Sequence, residues 1–219
     1  MKIAAIVQAR LNSSRLPGKV LMSLGNKTVL AHVINRLSMC RELDGVIVAT
    51  PDNDVIKESV NNGAQYYKGD ELDVLCRYYH CSKFFGVDRI IRVTADCPFI
   101  MPDLVDKLVR GSKKYDYGSN VVTRTYPQGF DCEIFSFEDL RRAFIYATDP
   151  YDREHVTSYM KRCLVNYSLR DEDDYSHKRI TLDTLSDYND LVEYNKVIGE
   201  IYSYTDCKKL LDKLVPAEK

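Results

Sequence analysis

The first 110 residues alternate short apolar runs with amphipathic segments of helix length. The predicted strands are 3–7, 44–50 and 89–94, and the predicted helices are about 29–37, 70–85 and 102–110. Strands that are rich in Val and Ile at every position, rather than at every second position, are typical of a parallel sheet with helices on both faces. The alternation therefore predicts an α/β fold with a mainly parallel central sheet flanked by helices.

After about residue 115 this pattern changes to that of a mixed sheet. The predicted strands here are 117–122, 131–135 and 179–182, and the predicted helices are about 137–147 and 151–163, followed by two amphipathic segments. No Gly/Ser/Pro-rich linker and no repeat of fixed period divides the chain. We therefore expect a single domain over 1–219, with two halves, 1–115 and 116–219.

Composition excludes several classes of protein. The 31 basic and 32 acidic residues give a net charge of −1, which argues against a general nucleic-acid or membrane-surface binder. No apolar run approaches the roughly 20 residues of a membrane span. The seven cysteines are odd in number and lack paired C-x-x-C spacing, so free thiols in the cytoplasm are favoured over disulfides or a zinc site.

Positive charge is concentrated in one stretch directly after the first predicted strand. Residues 8–21 read Q-A-R-L-N-S-S-R-L-P-G-K-V-L, in which Arg10, Arg15 and Lys19 surround a Pro-Gly turn. Arg binds phosphate oxygens with two parallel hydrogen bonds, and Lys acts as a compact point charge. Ser13 and Ser14 add hydroxyl donors. The stretch is typical of a phosphate-binding loop, although a solvated loop could carry the same residues.

This stretch is not one of the common glycine-rich nucleotide loops. Val20 follows Gly18-Lys19 where a Walker A loop needs Ser or Thr, and Ser13 stands five residues before Gly18 where that loop has Gly. No G-x-G-x-x-G follows the first strand. Any metal that accompanies a phosphate must therefore be bound elsewhere in the chain.

Two aspartates lie near the ends of separate predicted strands. Asp96 lies in T-A-D-C-P, residues 94–98, and Asp183 lies in I-T-L-D-T, residues 180–184. In sheets of this class, ligands bind outside the carboxyl ends of the strands. Mg²⁺ takes oxygen ligands and usually only one or two from the protein, so a shared metal is one interpretation. A turn or helix-capping role for each aspartate is the other.

Three segments, taken in order, resemble motifs of the cytidylyltransferases that activate acidic sugars, the CMP-Kdo and CMP-acylneuraminate synthetase group. They are A-R-L-N-S-S-R-L-P-G-K, T-A-D-C-P and L-D-T. The resemblance is strongest to the spore-coat-polysaccharide branch. Its G-x-x-x-D-V-L-x-R, G-x-D-x-E-x-F and R-E-H-V-T elements are matched at 69–77, 129–135 and 153–157, and the resemblance covers about 1–195.

The resemblance implies a nucleotide-diphosphosugar-transferase (GT-A-like, Rossmann-type) fold that transfers CMP from CTP to an acidic sugar with Mg²⁺ and releases pyrophosphate. The first half would bind nucleotide, and the second would bind sugar and could form a homodimer. The implied catalytic residues are Arg15, Lys19 and Asp96, and the implied metal ligands are Asp96 and Asp183. The implied nucleotide-binding residues are Gln8, Ala9, Arg10, Ser13, Ser14, Arg15, Lys19 and Asp73.

The sequence departs from the Kdo enzymes at two of these motifs. Gln8-Ala9-Arg10 stands where they have Pro-Ala-Arg, and Ala95-Asp96-Cys97-Pro98 stands where they have G-D-x-P. Both changes keep the charged atoms, but they leave the identity of the nucleotide and the sugar open.

Candidate sugar-binding residues lie in the second half of the chain. They are Gln128, Asp131, Glu133, Arg153 and His155, and Arg124 or Arg153 could bind a substrate carboxylate. A surface or structural role is an equal alternative for each. His32, within the first amphipathic helix, is expected to be structural.

Two other functions fit the same broad fold. A glycosyltransferase that uses a ready-made nucleotide sugar usually needs a D-x-D motif, but Asp96 is followed by Cys97-Pro98. A non-catalytic nucleotide-sugar-binding subunit would not need both aspartates and all three cations. Cytidylyl transfer is therefore the leading prediction.

Overall fold

A seven-stranded, mainly parallel sheet organises residues 1–214, the part of the chain that the computed structural model describes. The strands are β1 Ile3–Gln8, β2 Ser23–Leu24, β3 Lys27–Thr28, β4 Gly45–Thr50, β5 Gln65–Lys68, β6 Arg89–Thr94, β7 Tyr117–Ser119, β8 Glu133–Ser136 and β9 Asn166–Ser168. The sheet order is β5-β4-β1-β6-β8-β7-β9, and β2 and β3 form a separate hairpin. The strands β5, β4, β1 and β6 are mutually parallel, whereas β8 is antiparallel to β6 and β7.

Helices cover both faces of this sheet. They are α1 Val29–Leu37, α2 Asn53–Asn61, α3 Val74–Phe85, α4 Pro102–Gly111, α5 Phe137–Tyr146, α6 Pro150–His155, α7 Ser158–Cys163, α8 Leu185–Ile198 and α9 Tyr204–Lys208. Within β1, Ala5 and Val7 pack in a core with α1, α4 and α8, whereas Ala4 and Ile6 pack in a second core with α3 and α5. Because both faces are buried, every position of the strand from Ile3 to Val7 is apolar.

The predicted α/β class is confirmed, as are the three strands and three helices of the first half. The largest difference is at α3, which begins at Val74 rather than at 70 because Asp73 caps it. The Asp73 side chain accepts a hydrogen bond from the Cys76 N–H at 2.9 Å. Such a cap satisfies a backbone donor that the first helical turn leaves free. His32 is buried and hydrogen-bonded to the Leu24 carbonyl, which confirms its structural role.

Four predictions for the second half were wrong in extent or type. The strands predicted at 117–122 and 131–135 are β7 and β8, at 117–119 and 133–136. The helix predicted at 151–163 is two helices, since Val156 has a φ of 58° that interrupts it. The strand predicted at 179–182 is an extended segment with a single bridge between Gln128 and Arg179. Its buried Ile180 and Leu182 alternate as in a strand, but they pair with loop backbone at Gln128 and Asp96.

Short strands were missed by the sequence patterns. They are β5, β9 and the hairpin β2–β3, each of two to four residues. Within residues 1–214 no helix combines the length and the apolar character needed to cross a membrane. All seven cysteines are free thiols, as predicted.

Candidate active site

The loop that follows β1 is folded back around Leu11. The Leu11 carbonyl accepts hydrogen bonds from the N–H groups of Ser13 and Gly18, each at 2.8 Å. The Leu11 N–H donates to the Asp52 carboxylate at 2.8 Å, which ties the loop to the start of α2. Gly18 has a φ of 73°, a left-handed conformation that favours glycine. The predicted turn is therefore confirmed, and one helical turn, Lys19–Leu21, follows it directly.

Lys19 brings three distant segments of the chain together. Its ammonium lies 2.8 Å from Asp96 Oδ2, 3.0 Å from Asp183 Oδ1 and 2.6 Å from the Leu182 carbonyl oxygen. Asp96 follows β6, the neighbour of β1 in the sheet. Asp183 does not end a strand, as the sequence suggested, but immediately precedes Thr184, the N-cap of α8. The structure thus places the cationic loop and both predicted metal ligands at one point.

Opposite charges surround this point. Asp183 also contacts Arg15 at 3.0 Å and Arg179 at 2.6 Å. Burial alone would lower the pKa of Lys19, but Asp96 and Asp183 outweigh it and raise that pKa above its usual value. Burial alone would raise the pKa of Asp183, but hydrogen bonds and charges from Lys19, Arg179 and Arg15 lower it below its usual value. Lys19 is therefore an ammonium and Asp183 a carboxylate at neutral pH.

The donor set fits Mg²⁺. Asp96 and Asp183 already meet at a single cationic atom, and both are about three-quarters buried. Mg²⁺ is commonly bound by one or two carboxylates, with substrate phosphates and water completing its coordination. Within residues 1–214, neither this site nor any other has a group of three or more His, Cys, Asp or Glu side chains that could hold a metal, so the protein would supply only these two carboxylates.

A cavity of about 330 Å³ opens beside this point. It is lined by ten of the predicted site residues: Gln8, Ala9, Arg10, Ser13, Ser14, Arg15, Lys19, Asp96, His155 and Asp183. The loop after β1 and Asp96 form one side, and α6 contributes His155 from the second half of the chain. The cavity therefore combines residues predicted to bind nucleotide with one predicted to bind sugar.

Five predicted residues do not line this cavity. Asp73 and Arg153 form an ion pair with each other between α3 and α6, and Asp131 pairs with Arg124 at 2.6 Å. Glu133 is buried between Arg92 and Lys161. Gln128 accepts a hydrogen bond from Arg179 at 3.0 Å. Their assignment to nucleotide or sugar binding stays a prediction.

Four charged residues at or next to the site were not selected as site residues from the sequence. Arg77 and Glu154 line the cavity, and Glu154 contacts Arg10 at 3.2 Å across it. Both lie in motifs already noted, 69–77 and 153–157, so motif membership could have identified them. Asp52 and Arg179 contact the loop and Asp183, respectively. Asp52 lies in P-D-N-D, residues 51–54, a pattern typical of a turn and helix cap, whereas no local pattern marks Arg179.

Known proteins resemble this chain over nearly its whole length. Residues 4–212 match the family model described as cytidylyltransferase. An uncharacterized protein of Methanocaldococcus jannaschii is 35% identical over 225 residues, which is 98% of this chain and 90% of that protein. The spore coat polysaccharide biosynthesis protein SpsF of Bacillus subtilis is 29% identical over 218 residues, 90% of this chain and 88% of its own. The structure of a cytidylyltransferase from Leptospira borgpetersenii has a TM-score of 0.93 at 28% identity, covering 100% of this chain and 98% of that one.

Proposed function

The chain belongs to the cytidylyltransferase family, and we propose on this premise that it transfers CMP from CTP to an acidic sugar in the biosynthesis of a surface polysaccharide. One observation carries the proposal. The Lys19 ammonium is shared by Asp96 and Asp183 beside the loop that contains Arg10 and Arg15. A nucleotidyltransferase needs this combination, since it must bind a polyanionic triphosphate next to its metal ligands.

The triphosphate would bind to the loop after β1. Arg15 and Lys19 would donate to the pyrophosphate part, and Ser13 and Ser14 would add hydroxyl donors. As the bond to the α-phosphorus breaks, negative charge accumulates on the leaving pyrophosphate. Cations fixed next to that charge stabilise the transition state more than the ground state.

The acceptor hydroxyl would attack the α-phosphorus in line with the departing pyrophosphate. The residues of this chain contribute chiefly by orienting the two substrates and by neutralising charge. The chemistry that Mg²⁺ supplies when bound by Asp96 and Asp183 is further charge neutralisation and polarisation of the phosphoryl oxygens. Lys19, held between these carboxylates, would neutralise charge on the same phosphate oxygens.

The acceptor is proposed to be an acidic sugar bound from the side of α6. His155 lines the cavity on that side, and the motif resemblance is to enzymes that activate sugar acids. Gln128, Asp131, Glu133 and Arg153 would act around it, as the sequence predicts. We propose the cytoplasm as the site of action, consistent with seven free thiols, and a homodimer as the assembly.

The test is release of pyrophosphate from each of the four nucleoside triphosphates with Mg²⁺, in the presence of 2-keto sugar acids or neutral sugars. Release is expected only with CTP and a sugar acid. Equal rates with neutral sugars would contradict the acidic acceptor alone. No release with any pair, despite CTP binding, would contradict CMP transfer.

Asp96→Asn supplies the residue-level test. It should lower turnover by at least about 100-fold, the scale on which one charged contact of a transition state acts, while circular dichroism shows a folded protein. Asp54→Asn, at an exposed position in the first turn of α2, is the matched control and should keep full turnover. Near-normal turnover in Asp96→Asn would rule out its role at the metal site.

A further inference from the structure

Arg92 of β6 joins residues of two other strands, one of which, Gln8, lines the cavity. Its Nε donates to Gln8 Oε1 at 3.2 Å, and its Nη1 donates to Glu133 Oε1 at 3.3 Å. Lys161 donates to the same Glu133 oxygen at 2.9 Å. The side chains of Arg92 and Glu133 are only 13% and 5% exposed. The guanidinium is therefore fixed in place by a buried carboxylate.

This contact determines the orientation of the Gln8 amide. In the β1–β6 ladder, Gln8 is paired with Thr94 and Ile6 with Arg92, so Gln8 and Arg92 project from the same face of the sheet. A guanidinium has only donors, so the amide atom that faces Arg92 must be oxygen. This orientation of the amide follows from hydrogen-bonding chemistry alone, so the nitrogen and oxygen of the Gln8 amide need not be distinguished by their positions. The –NH₂ group of Gln8, a residue that lines the cavity, is left to donate to a ligand.

A fixed –NH₂ group can only donate, so its partner must present a hydrogen-bond acceptor. Sugar hydroxyls both donate and accept, so they need no fixed amide orientation. Cytosine has adjacent acceptors at O2 and N3, whereas N3 of uracil carries a proton. Gln8 directly precedes the loop after β1, next to Ala9, and the motif resemblance implies that both residues bind nucleotide.

We propose that Gln8 is a specificity-determining residue that donates to the acceptor edge of cytosine, and that Arg92 is the positioning residue that turns the amide for this purpose. The inference rests on the proposed use of CTP, which it deepens. It predicts that the chain distinguishes CTP from UTP through the Gln8 side chain, whose amide orientation is fixed by Arg92 and the buried Glu133.

The experiment measures dissociation constants of CTP, UTP and inorganic tripolyphosphate by calorimetry with Mg²⁺. Wild type is compared with Gln8→Glu, which replaces the donor by an acceptor, and with Arg92→Lys. Lys keeps the charge next to Glu133 but has a single nitrogen in place of the fork that reaches two partners. Lys161→Gln is the matched control, since Lys161 contacts Glu133 but not Gln8.

Both Gln8→Glu and Arg92→Lys should lower the ratio of CTP to UTP affinity by about 10-fold or more, the scale on which one base contact discriminates. Their tripolyphosphate affinity should stay within about twofold of wild type, and Lys161→Gln should keep the wild-type ratio. If Arg92→Lys does not fold, Gln8→Glu decides the result alone.

An unchanged ratio in Gln8→Glu would overturn the inference. If the KM for the sugar acid were raised at the same time, the amide would instead be assigned to a substrate carboxylate. Pyrophosphate release is measured separately. Absence of release overturns the proposed function, whereas the affinity ratio tests Gln8 and Arg92 whether or not turnover occurs.

Discussion

Replacing Lys19 by Met should lower the free energy of unfolding by about 2 kcal/mol at pH 7. Removing one partner of a fully buried ion pair costs about 3–5 kcal/mol, whereas an exposed pair contributes at most about 1 kcal/mol. The side chains of Lys19, Asp96 and Asp183 are 11%, 25% and 21% exposed, which places them between these limits. Asp183 keeps Arg15 and Arg179 in the variant, so the lower part of the range applies. Met retains most of the methylene packing.

The loss should depend on pH in a defined direction. The pKa of Asp183 is lowered in the folded chain, after burial is outweighed by Lys19, Arg179 and Arg15. A carboxyl with a lowered pKa stabilises the fold at pH values above its unfolded pKa of about 3.9, and this stabilisation is lost as pH falls through the folded pKa. Lys19 supplies part of that stabilisation. The difference between wild type and Lys19→Met should therefore shrink as pH falls below about 4.

Urea unfolding followed by circular dichroism, at several pH values from 3 to 7, measures both effects. Lys57→Met, at an exposed position of α2, is the control and should change stability by less than about 0.5 kcal/mol. A Lys19→Met variant as stable as this control at pH 7 would refute the assigned ion pairs. A loss of equal size at pH 3 and pH 7 would refute its electrostatic origin.

Two further variants test how the site is supported. Gly129→Ala should destabilise the chain by about 3 kcal/mol in urea unfolding, because Gly129 has a φ of 105° and an added Cβ would lie 2.3 Å from the Ile180 carbonyl oxygen. Gly45→Ala, where an added Cβ meets nothing within 4 Å, should be tolerated, and equal stability of the two variants would contradict the close approach. Thr184→Ala should cost about 1 kcal/mol, since Thr184 forms a capping box with Asp187 at the start of α8. A thermal midpoint identical to that of wild type would show that this cap contributes nothing.

The elements that sequence predicted well are those with long, strongly apolar patterns. The strands β1, β4 and β6 each have six residues and lie towards the centre of the sheet, where burial on both faces favours a run of mostly apolar side chains. The edge strand β5, with the sequence Q-Y-Y-K, was missed because it is short and mostly exposed. An edge strand need not be apolar on both faces, so its pattern resembles that of a loop.

Helix breaks and strand pairings that depend on tertiary contacts could also not be predicted from sequence patterns. Val156 is a β-branched residue at positive φ, which local preference disfavours. Its side chain is fully buried in the core beside α3 and α5, and that packing holds the conformation. Likewise Ile180 and Leu182 have the alternation of a strand, but the partner of their backbone is a loop. In both cases the surrounding packing overrides the local signal.

The composition of the candidate site was more predictable than its connections. The three loop cations, Asp96 and Asp183 were all identified as charged groups next to predicted strands. However, the contact between Lys19 and Asp183 joins residues 164 positions apart, and no spacing rule gives such a contact. It follows from the order of the strands. Since β1 and β6 are neighbours, the segments that leave their carboxyl ends must meet, and the segment before α8 hydrogen-bonds to the backbone at Asp96.

The residue after Lys19 shows why this loop differs from a Walker A loop in its use of that position. In such a loop a Ser or Thr follows the lysine and binds the metal. Here Val20 is only 2% exposed and packs in the core with Val29 and Leu30, so position 20 serves packing. A hydroxyl at this position would be buried among apolar side chains. Under the proposed function the metal ligands would therefore come from other segments, and Lys19 contacts the two carboxylates proposed for that role, Asp96 and Asp183.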